Sequence, residues 1–426
     1  MNDVGLPMQL GMTRGMTLRN LTCYVVAITI FLSIGPFFAW SSFANGLGVL
    51  AFKALQIISI IFLMTQLSFN KLTAAAFLSA VSIFAIFLFY CFFTGLKSGT
   101  THPLLIGNIL VYFFYALNVV TDRKILLKSF EILRMLFAIV LGYTLIIHIL
   151  ILFGVPLPYV ILQSGEAGRA EAGFQFYQNY LGCLLINQSG SLLYRFTSVF
   201  TEPGVVGTFC AFFLASSDFK LNKNKKNTLF LISGIFSLSV AFYLMAALSY
   251  MLKALRKGGY KAFSTIAALL VIYIAFINMD FSSPTLITLQ ERLMITESGL
   301  AGDNRIKEQA EAAYQRFLNG DLKTVLFGYG YPDVKADLAA WQATASYKES
   351  IYYLGFIGYG LMIAWLIITP LICYRSKEKK KNRAMYSYMI IFILSQYQRP
   401  YMKSLFLVYI LLAGCLYAQY TCNCEE

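Results

Sequence analysis

The stretch Arg195-Phe-Thr-Ser-Val-Phe-Thr-Glu202-Pro203-Gly-Val-Val-Gly207-Thr-Phe-Cys-Ala-Phe-Phe-Leu-Ala-Ser-Ser217 places an arginine and a glutamate, seven residues apart, ahead of a run of mostly apolar residues. A run of about 20 such residues is long enough to cross a bilayer. Ionisable groups at that depth are costly and mark function. Pro203 suits the first turn of a helix and Thr201 can cap it. Positions i and i+7 share a helix face, so the stretch predicts Arg195 and Glu202 together at an outer rim. Gly204 and Gly207 would allow a ligand or another helix to approach closely. An ion pair that merely closes a helix end is the competing reading.

The rest of the chain fits a membrane setting. Of its 426 residues 58% are hydrophobic, 16% aromatic and only 13% charged, against about 25% charged in soluble domains. Mean hydropathy is +0.66. Repeated apolar runs of about 18–25 residues predict an all-α, polytopic membrane helix bundle. A β-barrel would show shorter alternating segments. The net charge of +14 is concentrated in a few short loops, which reports orientation. Nucleic-acid binding is not expected, because it needs a basic face on a soluble domain. The eight cysteines are scattered without the paired spacing of a disulfide framework or zinc site. The first apolar run is too long for a signal-peptide core and reads as the first span.

Taken in order, spans are expected at about 22–44, 47–69, 73–95, 102–120 and 130–153, and Arg14, Arg19, Lys71 and Asp122-Arg123-Lys124 fall on the cytoplasmic side. A first large outside loop, 154–194, is broken by glycine and proline. The span at about 198–217 returns inward to Lys220, Lys223, Lys225 and Lys226. Residues 228–252 look like one span, which would carry Lys253, Arg256, Lys257 and Lys261 outside. A hairpin of two shorter helices turning near Ser233–Ser239 keeps both basic clusters inside, and is the expectation. A span at 262–279, a second large outside loop at 280–350 and spans at 351–374, 384–397 and 402–420 complete about 11–12 membrane helices in one domain, 1–426.

The second loop carries seven Lys or Arg and ten Asp or Glu, without the basic bias of the inner loops. Asp303-Asn304 can cap a helix running to about Leu318, with Gly320 as its stop. Ile306, Ala310, Ala313 and Phe317 make a packing face, and Arg305, Gln309 and Arg316 a polar one. This predicts an amphipathic helix over the outer mouth. Arg305 and Arg316 lie about 16 Å apart along it, so at most one can grip a given phosphate. Arg399, in Gln396-Tyr-Gln-Arg-Pro-Tyr401, falls at the outer end of the last hairpin, and Tyr347 and Lys348 at the re-entry to the 351–374 span. Arginine suits diphosphate because its planar fork donates two parallel hydrogen bonds. Arg195, Arg305 and Arg399 converging would clamp a diphosphate without a metal, and no Asp-x-Asp pair or His cluster suggests one. His102 and His148 read as core or interface residues, and Gly328 and Gly330 as turn residues.

The ordered set Arg195…Phe200-Thr-Glu202-Pro203, Asn304-Arg305, Phe327-Gly-Tyr-Gly330, Gly355-x-x-Gly358 and Gln398-Arg399-Pro400-Tyr401 resembles Wzy O-antigen polymerases over about 195–401. The resemblance implies a GT-C-type membrane glycosyltransferase, without cofactor, in the bacterial inner membrane. It would join polyprenyl-diphosphate-linked oligosaccharide repeats on the periplasmic side, with a chain-length regulator protein as a partner. It implies diphosphate binding by Arg195, Arg305 and Arg399, Glu202 as general base, and substrate contacts from Tyr347, Lys348, Arg316 and Tyr401. The related O-antigen ligases carry a histidine where this chain has Thr344, and the second loop has none, which favours polymerase over ligase. A polysaccharide flippase would want a cationic path through the span interiors, which are nearly charge-free apart from Lys53 and Arg134.

Overall fold

The computed structural model describes residues 17–40, 47–66, 78, 81–82, 85–86, 89–90, 117–118, 121–163, 176–187, 195–221, 224–257, 260–282, 284–296, 299–300, 308–329, 346–398 and 405–422. These are mostly helical. In order come α1 (Leu18–Ser33), α2 (Leu47–Met64), α3 (Arg123–Leu152), α4 (Pro203–Ser216), α5 (Lys225–Phe236), α6 (Val240–Lys257) and α7 (Tyr260–Ile277). Then follow α8 (Pro284–Leu293), α9 (Glu308–Leu318), α10 (Leu322–Phe327), α11 (Tyr347–Cys373), α12 (Lys379–Gln398) and α13 (Leu405–Cys422). Between α3 and α4 lies an antiparallel sheet ordered β1 (Val160–Gln163), β2 (Phe176–Tyr180), β3 (Cys183–Asn187). α3 and α11 are long and apolar enough to cross a membrane.

The core is organised around α4. Its mostly apolar composition leaves no polar face for solvent, and nearly every residue from Pro203 to Ser216 is buried. Phe137 of α3 sits inside the aromatic cluster at its side. The Phe137 ring lies 5.6 Å from Phe200, 5.2 Å from Phe209, 5.0 Å from Phe213 and 5.3 Å from Phe31. At Gly207 a Cβ would come within 2.6 Å of Ser239 Cβ, so the missing side chain lets α6 seat directly on α4. The close approach inferred from Gly207 is therefore made by a helix.

Charge separates the two ends of the bundle. At one end Arg19 pairs with Asp122, Lys128 donates to Asn20 (2.6 Å), and Arg123 donates to the Cys373 carbonyl (2.8 Å). Asp218, just past α4, takes Arg256 and the Lys253 ammonium from the end of α6. Asn227, at the start of α5, donates to the Lys220 carbonyl (2.9 Å) beside the same turn. The beginning of α5 and the end of α6 thus lie at one end, and the chain reverses between them at Ser237–Ser239, where Leu238 adopts φ 47°. Residues 228–252 form the two-helix hairpin, with Lys220 and Lys226 on the same side as Lys253 and Arg256.

Several boundaries differ from the sequence reading. α4 has 14 residues, about 21 Å at 1.5 Å per residue, shorter than about 30 Å of hydrocarbon. α1 ends at Ser33, because Gly35 (φ 83°) and Pro36 interrupt the run expected to reach 44. α3 starts at Arg123, since the Asp122 side chain caps it by accepting from the Lys124 N–H (2.9 Å). The 154–194 loop, expected to be irregular, contains the three strands. Most of the spans expected at 73–95 and 102–120 lie outside the described residues.

Candidate functional site at the open end of the bundle

At the end opposite the basic cluster, residues 195–202 are not helical, so Arg195 and Glu202 do not share a helix face. The segment is held from four sides. Phe196 N–H donates to the Phe236 carbonyl (3.0 Å), Leu184 N–H to the Ser198 carbonyl (2.8 Å), and Phe37 N–H to the Val199 carbonyl (2.8 Å). The Thr144 and Ser198 hydroxyls are 2.7 Å apart. His148, buried, lies with its ring 5.2 Å from Phe196 and 6.2 Å from Phe236. Ser198 takes φ 56° within this crossing.

Arg195 spends two N–H donors on the reversal after α5: Nε on the Ser237 carbonyl (3.2 Å) and Nη2 on the Leu238 carbonyl (2.9 Å). A helix C-terminus carries partial negative charge, so this guanidinium suits its place. Glu202, rather than Thr201, is the N-cap of α4, with extended φ −139° and ψ 134° and no side-chain cap hydrogen bond. Pro203 follows at the first helical position, where its missing N–H costs nothing. The partial positive charge of the α4 N-terminus favours the ionised Glu202 carboxylate. Each residue complements the end of a different short helix, and both are half-buried.

Tyr347 and Lys348 open α11, capped by Ser346, whose hydroxyl accepts from Lys348 N–H (3.2 Å). Lys348 Nζ pairs with Glu311 of α9 (2.7 Å) and stands 5.1 Å from the Tyr314 ring centre. Burial raises the Glu311 carboxyl, but hydrogen bonds from Lys348 and Gln315 and the Lys348 charge outweigh it and leave it below its ordinary range. Ala310, Ala313, Tyr314 and Phe317 are buried against Ile351, Tyr352 and Tyr353, so α9 lies on the start of α11 by the expected face. Arg316 points away, exposed. The Tyr347 ring lies 5.4 Å from Tyr397, near the end of α12. Arg305, Arg399 and Tyr401, and with them Asp303, Asn304, Ile306, Gly330 and His102, lie outside the described residues.

Gly328 is more than a turn residue. It and Gly355 cross backbone to backbone, both at positive φ (73° and 66°), and Gly355 breaks α11. A Cβ on Gly328 would overlap the Tyr353 carbonyl, and one on Gly355 the Leu326 carbonyl. Tyr329 N–H donates to the Tyr352 carbonyl (3.1 Å). The Tyr90 hydroxyl joins the two strands of this crossing, donating to the Phe327 carbonyl (2.8 Å) and contacting that of Leu354. The glycines were visible in the sequence; their partnership, and Tyr90 some 240 residues upstream, were not.

Arg134 finds its partners at the far end of α4. Fully buried, it donates to the Phe213 carbonyl (2.9 Å), Ser216 Oγ (3.2 Å) and Asn227 Oδ1 (2.6 Å), 4.6 Å from the Tyr417 ring centre. Glu131 lies 3.5 Å from its Nε, pairs with Lys226 and accepts from the Tyr417 hydroxyl (2.8 Å). No protein-family model matches the chain, and no curated protein matches it.

Proposed function

We infer that the chain is a multi-pass membrane glycosyltransferase, a surface-polysaccharide polymerase that joins polyprenyl-diphosphate-linked oligosaccharide repeats at the open end of the bundle. That end would face the periplasm, with the basic end in the cytoplasm. The observation that carries the reading is the half-buried carboxylate of Glu202 at the N-terminus of a short helix, on the same end as the capped start of α11 and the end of α12. Glu202 takes the proton of the attacking sugar hydroxyl. Arg305 and Arg399 neutralise the leaving diphosphate; Arg399 follows directly on the α12 end that meets Tyr347. Arg195 is a positioning residue in this scheme, because two of its donors hold the Ser237 and Leu238 carbonyls. Lys348 anchors α9 through Glu311, and Tyr347 and Tyr401 flank the sugar path.

A lipid-linked-repeat transporter is the second reading, favoured by the two short helices α4 and α5, since broken helices at membrane depth are common in transporters. Deleting the gene separates the two. A polymerase leaves core lipopolysaccharide bearing a single repeat. A transporter leaves bare core and repeat facing the cytoplasm, and a ligase leaves bare core with repeat on the outside. In the restored strain, Arg305→Ala and Arg399→Ala each abolish chain elongation while the protein still inserts; long polysaccharide in those variants would remove the diphosphate clamp.

A further inference from the structure

α3 presents an exposed apolar stripe, Ile139, Tyr143, Ile146, Leu150 and Phe153, at alternating spacings of four and three that keep to one helix face. If α3 crosses a bilayer, as the proposed function requires, this stripe faces lipid. The helix ends with Gly154 at φ 74°, its N–H donating to the Ile151 carbonyl (2.9 Å) and that of Val155 to Leu150 (3.0 Å). That paired closure turns the chain back on itself. It does not move off into water. Val160 pairs with Asn179, next to the Leu181–Gly182 turn, and the Tyr143 hydroxyl donates to the Leu181 carbonyl (3.0 Å). Tyr143 lies nine residues before the last residue of α3, about 13 Å along the axis. The sheet therefore reaches back down the lipid-facing side of the helix.

Its chemistry suits that place. Val160 and Ile161 are neighbours on a strand and so point to opposite faces, yet both are exposed, at 64% and 54%. Tyr159 and Leu181 are exposed beside them. A strand bordering water shows apolar residues on one face and polar ones on the other; β1 has Val160 and Leu162 on one face and exposed Ile161 beside Gln163 on the other. Polar backbone groups at the turn are met from within: the Leu181 carbonyl by Tyr143, and the Gly182 N–H by Asn179 Oδ1 (2.8 Å). The neighbouring Leu184 N–H goes to Ser198 (2.8 Å). Non-helical backbone near lipid needs such internal partners. β1 is an edge strand of this sheet, and its outward groups need interfacial water or headgroup oxygens, which sets the depth at the acyl boundary.

We propose that the β1–β3 sheet is a monotopic insert: Tyr159, Val160, Ile161 and Leu181 sit among the upper acyl chains of the leaflet at the open end, continuing the lipid face of α3. The inference rests on the membrane reading of α3, and the test keeps the two apart. Full-length protein carrying Leu181→Trp, Val160→Trp or Ile146→Trp is reconstituted in phosphatidylcholine vesicles with bromines high or low on the acyl chains, and the added emission is followed. For Leu181→Trp and Val160→Trp, bromines high on the chains quench most, and aqueous iodide quenches little. Quenching by iodide but not by bromolipid overturns the insert, since the sheet then stands in water. Quenching by neither also overturns it, because protein then covers the sheet. Ile146→Trp is quenched by bromolipid if α3 spans; if it is not, the membrane reading fails first.

Discussion

The two ends of α4 both carry charge, and the difference between them is informative. At the basic end Arg134 is fully buried, with three hydrogen-bond acceptors, a carboxylate and an aromatic ring around it. Apart from the Glu131 pair, which lies within α3, those contacts tie α3 to α4, α5 and α13, so the cluster fixes the height of α4 and α5. At the open end Glu202 is half-buried, caps the helix without a side-chain hydrogen bond to it, and stands in a non-helical crossing. A buried charge fully enclosed by partners is an element of architecture. A carboxylate at a helix N-terminus near the surface is favoured in its ionised form by the partial positive charge there.

The largest effect expected is at the enclosed end. Arg134→Met takes a donor from the Phe213 carbonyl, Ser216 and Asn227 and leaves Glu131 with Lys226 as its cation, and breaking a buried charged network costs about 3–5 kcal/mol. The thermal midpoint in detergent should fall steeply and yield with it. A midpoint unchanged from the parent would dissolve the contrast between the two ends. Next comes Gly355→Ala, which forces a side chain into a φ 66° backbone and against Leu326. A cost of about 1–3 kcal/mol is expected, with hydrogen exchange speeding up at 326–329 and 352–355. Of similar or smaller size, Arg195→Ala should lower stability by about 1–2 kcal/mol, and the midpoint with it, as two carbonyls lose their donor, and activity should fall in step. Activity lost without a drop in midpoint would move Arg195 from positioning to substrate binding.

The smallest effect concerns Lys348 and Glu311. A part-buried pair open to solvent on one side contributes about 1 kcal/mol. Because the folded Glu311 carboxyl is held below its usual range, its contribution is complete above about pH 4.3, the unfolded value, and fades as pH falls through the lower folded value. Hydrogen exchange in α9 should therefore rise on acidification. Lys348→Met should remove most of that pH dependence.

Much of the helical order was legible because apolar runs and helix signals are local. The α5–α6 hairpin followed from charge alone: Lys253 and Arg256 had to return to the side of Lys220, and Asp218 receives them. The packing face of α9 followed from spacing. The crossing at 195–202 did not, because its conformation is set by the Phe37 and Leu184 N–H groups, the Phe236 carbonyl and the Thr144 hydroxyl rather than by its own residues. Nor did the sheet, whose strands are four or five residues long, too short to give a clear alternating pattern. Of the candidate residues, Arg195 and Glu202 stand out in the sequence by their cost in an apolar setting, but the helix end that Arg195 meets is one that no spacing rule reveals.

The central claim is that Glu202 moves a proton while the enclosed end of α4 only holds the scaffold. The direct measurement is chain elongation by purified, reconstituted Glu202→Gln protein supplied with its lipid-linked repeat, alongside its thermal midpoint. A general base contributes about 10²–10⁴-fold, so elongation should fall by that order with the stability read from the midpoint within about 1 kcal/mol of the parent. Elongation within a few-fold of the parent, at an unchanged midpoint, would contradict the claim.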